Sequence, residues 1–295
     1  MARRRTRRAR QERPSISPRK KYLFAAAALA GFFVLLELGL ALGGVEPLIV
    51  QRDPYVGFAS SIPLFVEDEA ASGELVTAPN KRRWFNRQRF ARNKPSGTYR
   101  IFTLGGSTTY GRPYSDDVSF SGWLREILPA ADNSRKWEVI NAGGISYASY
   151  RVAVVMEELI DYDPDLFVIY TGHNEFLERR TYPDSIETPR VLTEAAGLLS
   201  RTRVFAAGDQ LVRRIQGKPP VVEDQRPVLE SEVDTILAAS VGPSAYRRDE
   251  EARRQTLEHF RFNLRRMIDL ADSAGAKVLL VTPASNLKDS PPFKS

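Results

Sequence analysis

The sequence predicts an α/β fold: a parallel sheet covered on both faces by helices, set behind a single membrane-spanning helix. Three observations predict it. A long uncharged stretch stands near the N-terminus. From Thr98 onward, short apolar segments alternate with amphipathic ones. Each of the first three apolar segments ends in a turn rich in Gly, Asn or Ser. Strands that alternate with helices and are apolar nearly throughout belong to a parallel sheet buried on both sides.

The N-terminal part is read from charge. The chain has 295 residues and a formal charge of +7. Residues 1–21 alone carry +9, so residues 22–295 sum to −2. The basicity thus belongs to a short arm, which weakens a nucleic-acid reading of the folded body. Tyr22 to Leu36 carries no charge, and after Glu37 the apolar stretch runs on to Gly44. As a helix, Leu23–Gly44 is long enough to cross a hydrocarbon core of about 30 Å. We expect residues 1–21 as a cytoplasmic arm, 22–44 as a transmembrane anchor and the remainder across the membrane, because basic flanks stay inside. A cleaved signal peptide is the rival reading; the length of the stretch and the absence of a clear A-x-A site favour the uncleaved anchor. Glu37 sits near the far end, where it can reach the interface.

Residues 45–98 read as a connector with little periodicity and several Pro and Gly. Within it, residues 81–94 mix seven basic residues with Trp84, Phe85 and Phe90. Such interleaving can serve single-stranded nucleic acid, anionic headgroups or a polysaccharide; the plainer reading is a solvated segment with its aromatic rings tucked into the domain.

The domain then unfolds element by element over residues 99–295. Strands are expected at 98–104, 137–141, 165–172 and 277–283, and helices at 119–128, 150–162 and 249–274. Leu257, Phe260, Leu264, Ile268 and Ala271 recur at helical spacing in the last of these. Residues 176–248 fit the alternation less well and read as an insertion with helices near 190–216 and 229–240.

Ligands of parallel sheets bind at the carboxyl ends of the strands, which directs attention to three loops. The first is Leu104-Gly105-Gly106-Ser107-Thr108-Thr109-Tyr110-Gly111. It lacks the Lys-Ser/Thr ending of a Walker loop and is not the G-x-S-x-G elbow. The second is Asn141-Ala142-Gly143-Gly144-Ile145-Ser146-Tyr147, and the third Thr171-Gly172-His173-Asn174-Glu175. Taken singly, Ser107 could merely cap a helix and Asn174 merely satisfy loop carbonyls. In order, at the ends of three consecutive strands, they point to a site.

Over about Tyr99 to Pro283 the chain resembles the SGNH (GDSL-like) hydrolases, and the N-terminal anchor, the stretch RDPYVGF and the form GHNEFLE look like a membrane-anchored branch of them. The resemblance implies a three-layer α/β/α sandwich with a parallel sheet of flavodoxin-like order. It implies Ser107 as nucleophile and Asn174 as an oxyanion-hole donor, with the backbone N–H of Ser107 as a second donor. The third donor is ordinarily a glycine five residues after the Asn of the second block. That count lands on Ser146, with Gly144 as the alternative if the register is shifted. Gly106 stands where many members have Asp, and Glu175 where they have Asp after the Asn.

A serine hydroxyl needs a base, and in the family a histidine of an Asp-x-x-His block supplies it. The chain has two histidines, His173 and His259, and neither lies in such a block. Taking Leu257 as zero, His259 falls at about 200° on a helix of about 100° per residue, off the apolar stripe. His173 occupies the variable position of its block. The sequence stops in a loop after the fourth strand, so we expect a C-terminally truncated domain, with the histidine and its acid beyond Ser295. The absence of cysteine excludes disulfides, Cys-based zinc sites and Cys nucleophiles, and no metal or cofactor is implied.

Three functions follow as expectations. The first is an extracytoplasmic serine esterase or deacylase acting on an acyl ester or acylated carbohydrate, with little hydrolysis by residues 1–295 alone. The second is a polysaccharide O-acyltransferase of the same fold. The third is a membrane-tethered binding or scaffold protein with a degenerate site.

Overall fold

A computed structural model describes residues 17–51, 53, 56–181, 186–216 and 249–284. The expected helix at 229–240 and the loop around Asp289 lie outside these residues.

The main sheet has four strands: β4 (Thr98–Gly105), β5 (Lys136–Gly143), β6 (Leu166–Tyr170) and β7 (Lys277–Leu280). Their order is β5-β4-β6-β7, and every pair is parallel. In chain order this is second, first, third, fourth, the flavodoxin-like order. Strands β5, β4 and β6 are apolar toward both faces because both are covered, whereas Leu279 and Leu280 of the last strand, β7, are exposed. Ile101, Val139 and Val168 point to one side, where Phe120, Leu124 and Leu128 of α3 (Phe120–Ala131) pack on them. Phe102, Leu104, Ile140, Phe167 and Ile169 point to the other. They meet Met156 and Leu159 of α4 (Ser149–Leu159) and Met267 and Ala271 of α8 (Glu250–Ser273). Three layers result.

Residues 45–98 hold a second sheet. Strands β1 (Phe65–Asp68), β2 (Ala71–Thr77) and β3 (Arg89–Ala91) pair antiparallel in the order β1-β2-β3. Phe65, Leu75, Phe85 and Phe90 join the core on the α4 side. The rings of residues 81–94 are thus drawn inward, with Trp84 partly buried against the same core. Arg100, fully buried, holds the two sheets together. It pairs with Glu138, donates to the Tyr162 and Ala91 carbonyls, and lies over the Phe90 ring. Glu158 of α4 accepts the Leu64 and Phe65 N–H groups, pinning the small sheet from the other side.

Two differences from the sequence reading stand out. The expected helix at 190–216 is two helices, α6 (Arg190–Leu199) and α7 (Arg203–Ile215), because the Thr202 side chain caps a new start by accepting the Phe205 N–H. In α8 the buried line is Thr256, Asn263, Met267 and Ala271, rotated from the predicted stripe. The cause is polar: the Asn263 amide donates to Ser149 Oγ across the helix interface.

Helix α1 (Pro18–Leu42) is apolar and long enough to cross a membrane, and none of its residues is buried in the protein.

A buried pair ties the segment before the small sheet to the body. Lys81 Nζ and Asp53 Oδ2 lie 2.6 Å apart, both out of water, and Asp53 also accepts the Gly57 N–H. Removing one partner of such a pair strands the other charge, at about 3–5 kcal/mol. Asp53→Ala should therefore lower stability by about 3 kcal/mol in urea titration, and Asp53→Leu with Lys81→Met should recover most of it. Equal losses in the single and double variants would contradict the pairing.

Candidate active site

The site forms where the sheet order reverses, at the carboxyl ends of β5, β4 and β6. Register sets it. Gly105 pairs with Gly143 on one side and with Tyr170 on the other, so three loops leave the sheet in one row.

The first loop turns at once into a single helical turn, α2 (Ser107–Tyr110), with Gly106 at its N-cap. Ser107 is its first residue and is half-buried. Its N–H heads the turn, where no intrahelical partner exists. Close approach explains the glycines on either side. A Cβ on Gly106 would stand 2.7 Å from the Asn174 amide nitrogen, and one on Gly143 would stand 2.4 Å from the Tyr110 nitrogen. The absence of a side chain at Gly106 thus makes room for Asn174.

Asn174 is buried, and its Nδ2 donates to the Tyr147 carbonyl at 2.9 Å. An amide nitrogen has two hydrogens, and one of them holds the second loop. The Asn174 carbonyl accepts the Glu178 N–H, which fixes the residue at the start of α5 (Glu175–Thr181).

In the second loop, Ser146 has φ 65°, the left-handed region where glycine is ordinarily found. The left-handed turn is made here by a residue with a Cβ. Gly144 is engaged otherwise: its N–H donates to the Gly105 carbonyl at 3.0 Å. The Ile145 N–H donates to the Trp84 carbonyl, and Phe85 packs edge-on against Tyr147. Asn141, the first residue of this loop, donates to the carbonyls of Thr109 and Tyr110 and to Asp116 Oδ1. It thereby ties the Ser107 turn to β5. Asp116 in turn receives Arg125 and Gln88.

Sequence reasoning missed the residue that joins these parts. Arg151, fully buried on α4, pairs with Glu178 of α5 and donates to the Ser146 carbonyl at 2.5 Å and the Val56 carbonyl at 3.0 Å. Its guanidinium also lies 4.3 Å from the Tyr147 ring centre. The available signal was an arginine inside the otherwise apolar run Val152 to Met156 and its flank, a position that rarely holds a charge unless it is paired.

Glu175 does not face the serine. It reaches to the start of α4, accepting the Ser149 N–H at 2.9 Å and the Ser149 Oγ–H at 2.7 Å. Burial pushes its carboxyl up to about 7, against the lowering effect of those two bonds. His173 is exposed, set edge-on to Tyr170 with Nε2 3.4 Å from the Ala284 carbonyl. His259 is half-buried and stacked on Tyr150. Among the described residues, no cluster of three or more acids and histidines is placed to hold a metal.

Among the solved structures similar to this chain are two acetyl xylan esterases. One is an acetyl xylan esterase, AlAXEase, at 15% identity, covering 61% of this chain and 76% of that one, with a TM-score of 0.25. The other is an acetyl xylan esterase variant from Geobacillus stearothermophilus, at 17% identity, covering 65% and 78%, with a TM-score of 0.28. No family model matches the chain, and no curated protein does. The fold assignment rests on the strand order of the sheet itself.

The Glu175 carboxyl gives a pH test. Between the ordinary value of 4.5 and about 7, the folded protein holds a proton that the unfolded chain releases. Stability therefore falls as pH rises through that window. The fall should amount to no more than about 3 kcal/mol, and Glu175→Gln should flatten the slope of urea midpoint against pH. An unchanged slope would place the titration elsewhere.

Proposed function

We propose that the chain carries the acyl-transfer site of an extracytoplasmic serine esterase or deacylase of SGNH type, with Ser107 as nucleophile. One observation carries this reading: Ser107, the Ser146 turn and Asn174 follow three adjacent parallel strands whose ends are level at Gly105, Gly143 and Tyr170.

Ser107 Oγ attacks the carbonyl carbon of an ester. The carbonyl oxygen takes up negative charge as the tetrahedral intermediate forms. Asn174 Nδ2, the Ser107 N–H and the Ser146 N–H supply the donors for it. Collapse expels the alcohol, which carries away the proton given up by Ser107 Oγ, and leaves an acyl-serine. Water then attacks the acyl carbon, giving its proton to the serine oxygen, so that the carboxylic acid leaves and the Ser107 hydroxyl is restored. Donors fixed before the reaction are worth more than donors that must reorganise. Here Asn174 is held by Tyr147 and the Ser146 turn by Arg151.

The base is the open element. His173 is set against Tyr170 and the Ala284 carbonyl and His259 against Tyr150 and Asn263, and neither lies in an Asp-x-x-His block, so residues 1–295 alone should hydrolyse esters little or not at all. The substrate class that suits the reading is an acyl ester or acylated carbohydrate outside the cytoplasm, reached by a domain anchored through α1.

The test is fluorophosphonate labelling of the product of the complete gene. Label should attach at Ser107 and vanish in Ser107→Ala. Asn174→Ala should slow ester turnover by about 10²–10³-fold, the loss typical of one oxyanion donor. An unlabelled Ser107 in the folded protein would overturn the nucleophile and favour a binding protein. Unchanged turnover in Asn174→Ala would overturn the oxyanion assignment.

A further inference from the structure

Helices α6 and α7 are built inside out. On α6, Thr193 and Gly197 face the body, and Glu194 reaches in to accept the Ser60 and Ser61 N–H groups. A Cβ on Gly197 would stand 2.4 Å from Ser61 Oγ, so the helix lies close against the body. Its large apolar residues, Val191, Leu192, Leu198 and Leu199, are exposed. On α7 the body-facing residue is Ala206, while Leu211, Val212 and Ile215 are exposed. At about 100° per residue, these three share one side of α7, and Gln210, Arg213 and Arg214 share the other.

The span reaches this hairpin through its one acid. Glu37 of α1 accepts the Arg203 N–H at 2.7 Å and the Val204 N–H at 3.1 Å. Those are the first two N–H groups of α7, and Thr202 satisfies the third. Glu37 therefore caps α7, where a negative charge also suits the helix dipole. Sixteen residues separate Lys21 from Glu37, or about 24 Å along a helix. If Lys21 marks the inner surface of a hydrocarbon core of about 30 Å, Glu37 and the start of α7 stand about 6 Å short of its outer surface, within the depth of about 5–10 Å to which an interfacial helix sinks.

We propose that the outward apolar side of α7, continued by α6, is seated in the outer interface of the bilayer that α1 crosses. The occupant follows from continuity with the span and from the pattern itself. An apolar strip with arginines on the opposite side is the arrangement of a helix that lies in the plane of a membrane. Large apolar residues exposed together on a folded domain also mark an interaction face. Glu37 then holds the hairpin at one depth, and through the Glu194 contacts it holds the catalytic body at one distance from the lipid. The proposal rests on α1 spanning the membrane.

The chain has no cysteine, so single-cysteine variants of the full-length protein in liposomes test it cleanly. Leu29→Cys, Val212→Cys and Gln210→Cys would each carry an environment-sensitive fluorophore. Quenching by doxyl-labelled lipid would be compared with quenching by aqueous iodide. The proposal expects lipid quenching to remove most of the signal at residues 29 and 212, with residue 210 quenched by iodide. If residue 29 responds to lipid but residue 212 responds to iodide as residue 210 does, the seat is wrong and the span stands. If residue 212 is closed to both quenchers, another part of this chain or a second copy covers the face, and the seat is again wrong. If residue 29 does not respond to lipid, the span fails and the proposal with it.

Discussion

The structure depends on one buried cation. Arg151 has no access to water, and each of its nitrogens has protein to satisfy. Glu178 neutralises it, the Ser146 carbonyl and the Val56 carbonyl accept from it, and the Tyr147 ring lies against it. Burying a guanidinium is costly unless these bonds form together. The cost therefore acts as a constraint. It obliges α4, α5, the turn at Ser146 and the segment at Val56 to meet at one point. The left-handed Ser146, which a glycine would tolerate more easily, is held because its carbonyl is part of that set. Asn174 adds the link to the third loop through the Tyr147 carbonyl.

The same constraint governs the second sheet. Residues 45–98 carry no function of their own in this account, but Phe85 and Trp84 contact the second loop and Arg100 donates to the β3 carbonyl of Ala91. The loops of the site are supported from behind by a segment that precedes the domain in sequence. Asn141 and Asp116 do the equivalent on the other side, joining the Ser107 turn to the edge of β5. The site is thus a product of long-range polar contacts laid on a sheet whose strand ends already coincide.

Much of this was legible in the sequence. All four strands of the main sheet lie where the apolar segments predict them; in β4, β5 and β6 the apolar run reflects burial on both faces, while β7 is apolar but largely exposed. The three loops were legible because turns at strand ends need Gly and Asn. The count from Asn141 to Ser146 also marks the left-handed residue. Other features were not legible, for physical reasons. Arg151 reads as one more charge until its four partners are in place, and those come from residues as far away as Val56. The stripe of α8 is displaced because Asn263 is buried for a hydrogen bond, which a hydrophobic pattern does not register. For α6 and α7, periodicity gives an apolar side and a polar side. It does not say which side meets the body, and here the small and polar side does. The small sheet was read as a connector because its strands are short and only partly buried.

The central claim is that three loops form one preorganised acyl-transfer site around Ser107. The most direct measurement is a crystal structure of the complete gene product after reaction with a phosphonate ester. The account predicts phosphorus bonded to Ser107 Oγ, with the phosphonyl oxygen within hydrogen-bonding distance of Asn174 Nδ2 and the Ser146 N–H. A phosphonyl oxygen turned away from both donors, or a Ser107 left unmodified, would contradict it.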